Sequence, residues 1–175
     1  MRKLLNEELE RLTIEEYKRS EKIPVMAVLD NIRSQNNIGS VFRTADAFRL
    51  QGILLCGITA TPPHREIHKT ALGATETVHW EYWKDTVDAV KDLKKKDYRI
   101  ISVEQVENGD SLERLQLKTS QRYAVVFGHE IRGVDQRVVD LSDRCIEIPQ
   151  YGTKHSLNIA VAAGIVVWEI FRQLH

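Results

Sequence analysis

The sequence predicts an α/β fold: one mainly parallel sheet with helices on both faces. Three observations lead there. Short, almost wholly apolar runs such as Val25–Leu29 and Tyr123–Phe127 read as strands buried on both sides. Between them lie segments whose apolar residues recur at helical spacing. No repeat and no Pro/Gly/Ser-rich linker breaks the alternation, and 175 residues fit a single unit of this kind.

In chain order, Leu4–Lys18 reads as a helix rich in Glu, Lys and Arg, with Leu5, Leu9, Leu12 and Tyr17 as its apolar stripe and Lys22–Pro24 as its close. Residues 1–22 are therefore expected to be a helical appendage on a body of residues 23–175. Within that body, strands are predicted at Val25–Leu29, Gly52–Cys56, Thr77–Tyr82, Tyr98–Val103, Tyr123–Phe127 and Cys145–Ile148. Helices are predicted at Ile38–Phe48, Arg65–Leu72, Thr86–Lys95 and Gln136–Leu141, with a last one from about Leu157 to Leu174. Such sheets bind ligands at the carboxyl ends of their strands. The loops after Leu29, Val103, Phe127 and Ile148 are thus where a site is expected.

Bulk composition narrows the classes. Lys+Arg and Asp+Glu both number 25, and this zero balance argues mildly against a nucleic-acid partner unless the cations cluster. Cys56 and Cys145 lie far apart in apolar stretches and read as buried, reduced thiols. Met1–Glu10 has no apolar core of the signal-peptide kind, and the longest uncharged apolar run, Ile159–Trp168, is too short to cross a bilayer. A cytoplasmic protein without a membrane partner is expected. The first strand-to-helix connection, Asp30 to Gly39, lacks G-x-G-x-x-G. Gly128 and Gly133 have P-loop spacing, but Val134-Asp135 stands where Lys-Ser/Thr is needed. His64 and His68 have i, i+4 spacing without a third ligand nearby, so no metal site is expected.

Three segments carry chemistry. In Asn37–Phe48, Ile38, Val41, Phe42, Ala45 and Phe48 form a core-facing stripe, which leaves Ser40, Arg43 and Ala47 on another face. Asn36 or Asn37 is placed to cap the helix, whose free N–H groups favour an anion. By itself this also describes a capped core helix with a solvated arginine. In Phe127–Val134 a strand ends at Gly128, and Glu130 and Arg132 precede Gly133, which suits a tight loop around a small ligand or an ordinary turn with an exposed ion pair. In Ile148–Asn158 a polar loop delivers Ser156 and Asn158 to a helix start, where Ser156 also suits a plain N-cap.

Taken in order, these segments resemble the three motifs of the SpoU/TrmH family of RNA ribose 2′-O-methyltransferases, within the SPOUT group. Asn37-Ile38-Gly39-Ser40-Val41-Phe42-Arg43-Thr44-Ala45-Asp46-Ala47-Phe48 resembles the first, Gly128-His129-Glu130-Ile131-Arg132-Gly133-Val134 the second, and the stretch from Ile148 through Ser156-Leu157-Asn158 to Ala162 the third. Lys69-Thr70-Ala71-Leu72-Gly73-Ala74 is similar to a further family segment. The resemblance spans about Val25 to Phe171. His129 departs from the family's usual Ser, Thr or Asn, and Gln150 from its frequent Met.

The resemblance implies a C-terminal trefoil knot, S-adenosylmethionine as cofactor, and transfer of its methyl group to a ribose 2′-hydroxyl of tRNA or rRNA. Cofactor contacts are then expected from Val103, Gly128, Ile148 and Leu157. Arg43 is the matched catalytic residue, with Asn37, Glu130, Ser156 and Asn158 orienting it, the ribose and the loop. Since guanidinium keeps its proton, Arg43 is expected to clamp phosphate and stabilise developing alkoxide charge.

Arg33, Arg65, Lys69, Arg132 and Lys154 fall in or beside the same loops and are the expected RNA-binding cations. From Ile159 to Ile170 only Glu169 is charged, and a terminal helix so apolar is expected to be shared between the chain's own core and a second copy in a homodimer. Two alternatives stay open: a catalytically silent RNA-binding homologue, and an α/β module for another nucleotide.

Overall fold

The computed structural model describes residues 1–175, the side chain of Asn6 apart. Seven strands form one sheet: β1 (Ile23–Asp30), β2 (Leu50–Cys56), β3 (Trp80–Trp83), β4 (Tyr98–Val103), β5 (Asp110–Ser111), β6 (Arg122–Phe127) and β7 (Arg144–Glu147). Their order is β3-β2-β1-β6-β4-β7-β5, and every neighbouring pair is parallel. The helices are α1 (Ile14–Arg19), α2 (Gln35–Ala47), α3 (Arg65–Ala71), α4 (Ala74–Thr77), α5 (Thr86–Lys95), α6 (Gln136–Val139) and α7 (Ile159–Leu174). The α/β fold with helices on both faces is as the sequence predicts.

Strand alternation builds two hydrophobic layers. Val25, Ala27 and Leu29 of β1 face a layer shared with Phe42 of α2, Ile67 of α3 and Val166 of α7. Met26 and Val28 face the other layer, with Val90 and Leu93 of α5 and Val138 of α6. Phe42, Phe127, Leu29 and Ile101 are essentially inaccessible, and full burial of each contributes about 1.5–3 kcal/mol. Cys56 is buried and its thiol is pushed up to about 12 by that burial; Cys145 is half-buried, and neither is in a disulfide.

Several elements differ from the sequence reading. In place of one helix over Leu4–Lys18 there is a 3-10 turn (Asn6–Leu9) and the separate α1. Glu10 takes a left-handed φ of 44°, and Thr13 with Glu16 forms a capping box that starts a new helix. Leu5, Leu9 and Leu12 stay exposed, whereas Tyr17 is buried. Pro24 belongs to β1, at the point where the β1–β2 register shifts, a position that tolerates a missing N–H.

Residues 74–77 are the short helix α4, so β3 starts later than expected. Thr77 Oγ1 donates to Asp46 Oδ1 at 2.5 Å, which holds that turn against α2. β5 has two residues and no apolar pattern to betray it. The N-cap of α2 is Ser34, whose side chain accepts from Asn37 N at 3.3 Å, and neither Asn36 nor Asn37 fills that place. At α7, Asn158 is the N-cap and Ser156 lies before it.

α2 crosses α3 at close range because residue 39 is glycine. A Cβ there would stand 2.1 Å from Thr70 Oγ1 and 2.3 Å from Ile67 O. The Thr70 hydroxyl in turn donates to Asn36 O at 3.0 Å, so the two helices share backbone as well as apolar contacts. This packing fixes the start of α2, where the site lies.

Candidate active site

The loops that follow β4, β6 and β7 converge on a cleft of about 540 Å³ at the carboxyl edge of the sheet. All four expected cofactor contacts, Val103, Gly128, Ile148 and Leu157, line it, and so do Glu130, Arg132, Ser156 and Asn158. The cleft also takes in Glu104, Gln105, Ile131 and His155, which the sequence reading did not single out.

The wall formed by Gly128–Gly133 is a closed loop. His129 N donates to Gly133 O at 3.0 Å, and Gly133 N returns a bond to His129 O at 2.8 Å. Closure needs both glycines. A Cβ on Gly128 would meet Val134 N and Gly133 C at 2.2 Å. Gly133 has φ +69°, and a Cβ there would lie 2.0 Å from Glu104 Oε2. Glu104 ties this loop to the end of β4, because its carboxylate accepts from Val134 N at 2.8 Å and Gln105 N at 3.0 Å. A carboxylate directly after a parallel strand was the signal available in the sequence.

Asp30, buried at the end of β1, performs a similar service on the other side. It accepts from Thr86 Oγ1 at 2.5 Å, Asn31 Nδ2 at 2.8 Å and Asp135 N at 2.8 Å, joining three loops.

Glu130 caps the approach to α2. Its carboxylate accepts from Ser34 N at 2.9 Å and Arg33 N at 3.1 Å, and it therefore orders the β1–α2 loop, with no bond to Arg43. Partial burial pushes the carboxyl pKa up, but the backbone donors Ser34 and Arg33, helped by the Asn37 side chain, outweigh it and hold the value below the usual range. A depressed carboxylate stabilises the fold above its unfolded pKa of about 4.3 and loses that contribution as pH falls through the folded value. The protection factors of the Arg33 and Ser34 amides should thus fall on acidification through that window. Glu130→Gln should show fast exchange already at neutral pH, and equal exchange in both proteins would count against this cap.

The third and first segments meet directly: Asn158 Nδ2 donates to Asn37 Oδ1 at 3.2 Å. Asn158 also accepts from Ala160 N and Val161 N, so one side chain caps α7 and ties it to the start of α2. Arg43 is not brought into the cleft lining. It lies further along α2, exposed, and takes part in none of the described hydrogen bonds or ion pairs. Of the expected RNA-binding cations, Arg132 lines the cleft and Arg33 stands on the adjoining loop. Arg65 and Lys69 are exposed on α3, Arg65 being 3.9 Å from Glu66, and Lys154 is exposed between β7 and α7.

Fold and cleft define a parallel α/β protein with a cleft built by three loops at the carboxyl edge of its sheet. The chain belongs to the SpoU rRNA Methylase family, whose model matches residues 24–168.

It is 27% identical over 162 residues to a Staphylococcus aureus (strain MSSA476) protein named for the TrmH family of tRNA/rRNA methyltransferases. That match covers 93% of this chain and 64% of the relative, so the chain spans less than two thirds of that relative's length. Among solved structures, an AdoMet-bound rRNA methyltransferase from Sinorhizobium meliloti superposes with TM-score 0.81 at 24% identity, over 93% of this chain and 60% of that one. A structure described as concerning 2-OH methylation of C/U34 on tRNA superposes with TM-score 0.75 at 24% identity, over 86% and 95% of the two chains. At these identities the likeness shows the fold. No helix among the described residues is long and apolar enough to cross a membrane.

Proposed function

We propose that this chain transfers a methyl group from S-adenosylmethionine to a ribose 2′-hydroxyl of tRNA or rRNA. The observation that carries the reading is the convergence of Val103, Gly128, Ile148 and Leu157 on one cleft, whose lining also holds Glu130, Ser156 and Asn158. The names of the relatives and of the similar structures support it.

The cleft suits such a cofactor on its own geometry. Its volume of about 540 Å³ lies in the range of small-molecule pockets, and at Gly128 the backbone is bare where a Cβ would fill the loop. The sulfonium, when bound, supplies an electrophilic methyl carbon for in-line displacement. The protein's share is to orient the hydroxyl and manage its proton. The amino ends of α2 and α7 meet through the Asn37–Asn158 bond, and the positive ends of the two helix dipoles favour a phosphate or a developing alkoxide. Ser156 and Asn158 stand at the cleft's rim to hold the ribose. Arg43 serves as clamp and charge stabiliser.

The same reading takes the C-terminal segment as a trefoil knot, residues 1–22 as an appendage, the working protein as a cytoplasmic homodimer, and Arg33, Arg65, Lys69, Arg132 and Lys154 as contacts to RNA. The strand order supports the knot: β6 inserts between β1 and β4, and the later β7 between the consecutive strands β4 and β5.

Calorimetry provides the test. The purified protein should bind S-adenosylmethionine and its demethylated product without added metal or nicotinamide. Gly128→Ala, which sets a Cβ against backbone, should lose at least tenfold in affinity while keeping its fold by circular dichroism. A folded wild-type protein that binds neither compound would sink the reading. Cofactor binding without methyl transfer, to total RNA from a strain lacking the gene, would leave the silent RNA-binding homologue as the better account.

A further inference from the structure

A second hollow, of about 800 Å³, adjoins the cleft and shares His129, Ile131, Arg132 and Gly133 with it as a common wall. Its floor is built with care at strained backbone. Asn31 has a left-handed φ of 58°, and its side chain bonds both ways, donating to Asp30 Oδ1 at 2.8 Å and accepting from Ile58 N at 3.1 Å. Gly57, at φ +63°, passes so close that a Cβ would lie 2.1 Å from Asn31 Oδ1. These contacts pin the loop after β2 and present Ile58 outward, 64% exposed, while Ile131 on the opposing closed loop is 79% exposed. Two large apolar side chains are thus held in solvent by loops that have no freedom to tuck them away.

The charges around the hollow are one-sided. Arg33 and Arg132 line it and take part in none of the described ion pairs. The carboxylates in its floor are already engaged: Asp30 is buried under three donors, and Asp135 pairs with Arg137 at 2.7 Å. His129 adds a directed donor. Its Nδ1 accepts from Ile131 N at 3.0 Å and Arg132 N at 3.3 Å, which assigns the neutral ring's proton to Nε2.

We propose that this hollow seats the nucleotide adjacent to the methylated ribose. Resting on the methyltransferase reading above, the assignment matches each part of a nucleotide to a feature of the hollow. The phosphodiester lies between the guanidinium groups of Arg33 and Arg132. The base packs on Ile58 and Ile131, and its edge accepts from His129 Nε2. A base can enter only when unstacked, so the RNA is single-stranded at this point. The shared wall sets the occupant one loop's thickness from the methyl donor, which is why it is the neighbour of the reacting nucleotide. The hollow therefore reads sequence context beside the methylation site.

The test uses the full-length protein saturated with S-adenosylhomocysteine and a short mixed-sequence oligoribonucleotide carrying 4-thiouridine. Photo-crosslinks should map to the peptides holding Ile58 and Ile131. Arg33→Ala should weaken binding about fivefold and make the salt dependence shallower by about 0.7 in log–log slope, the value of one lost phosphate contact on a single strand. Ile58→Ala should weaken binding about threefold with the slope unchanged. Neither variant should alter cofactor affinity, since neither residue lines the cofactor cleft. Wild-type affinity and slope in both variants, or crosslinks confined to other peptides, would overturn the assignment of the hollow. A cofactor-loaded wild-type protein that binds no oligoribonucleotide at all would instead overturn the RNA reading itself, and the hollow's assignment with it.

Discussion

Arg43→Ala should cut methyl transfer by about 10²–10³-fold while S-adenosylmethionine affinity stays within twofold of wild type. The size follows from removing one preorganised donor from a site of developing negative charge, a loss of about 3–4 kcal/mol in transition-state stabilisation. The split between transfer and binding follows from position. Arg43 is exposed on α2, outside the cleft lined by Gly128, Ile148 and Leu157. Its neighbours Phe42 and Ala45 are buried, so truncating an outward side chain leaves the helix packing intact. Arg43→Lys sharpens the test. Lysine keeps the charge but loses the planar fork, and should recover only part of the rate if bidentate phosphate contact matters. Single-turnover assays with saturating cofactor, alongside calorimetry, measure both quantities. Turnover within about threefold of wild type, under roughly 1 kcal/mol in the barrier, would show that Arg43 has no part in the reaction.

What the sequence disclosed depended on whether a feature is local. Val25–Leu29 and Tyr123–Phe127 announce themselves as strands because both faces are buried, which leaves uninterrupted apolar runs. The apolar stripe of α2 was legible for the same kind of reason. β5 was not, since Asp110 and Ser111 join β7 through backbone pairing and an Asp110–Arg144 ion pair, and carry no hydrophobic signal. The N-terminal helix was misjudged because Leu5, Leu9 and Leu12 have helical spacing but no surface to pack on in the single chain. The capping box at Thr13 and Glu16 was the better guide to where a helix starts.

At the site, recurring residue types pointed to Gly128, Glu130 and Asn158, and the structure gathers them. The partners that fix them did not show in the sequence. Glu104 bonds Val134 N thirty positions away, and Asp30 bonds Asp135 N across more than a hundred. Such bonds are set by the strand order, which places β6 between β1 and β4, and no window of sequence contains that information. Ser34 was passed over as the α2 cap in favour of Asn36 and Asn37 for a related reason. The choice among three capping residues within four positions is decided by Glu130, which takes the Arg33 and Ser34 amides and sets where the helix begins.

A charge placed on the outer face of α7 should split the protein into monomers and abolish activity together. Ile159, Ala163, Val166, Val167 and Ile170 bury one side of this helix on the chain's own core. The other side presents Val161, Ile165 and Trp168 at successive turns, with Ile165 39% and Trp168 51% exposed. Trp168 joins Phe171 and Phe48 in an aromatic group with ring centroids 5.1–6.0 Å apart, which extends the apolar surface to the end of α2. A monomer rarely leaves such a stripe in water, and two-fold pairing of like faces covers it with the least new surface. Pairing through α7 would also bring the first segment of one chain near the third of the other, because α2 and α7 already meet at Asn37 and Asn158. Arg43, which its own cleft does not reach, would then act in a site completed by assembly. The choice of residue matters. Val166 is wholly buried, so a charge there tests folding, whereas Ile165→Asp leaves the chain's own core untouched. An unpaired carboxylate at the centre of an apolar interface should cost about 2–4 kcal/mol, raising the dimer dissociation constant by about 30- to 1,000-fold. Light scattering at micromolar protein should show the mass of one chain for Ile165→Asp and of two for the unmodified protein, with circular dichroism unchanged and methyl transfer lost only in the variant. An unmodified protein that is monomeric and fully active would refute the pairing and the shared site together.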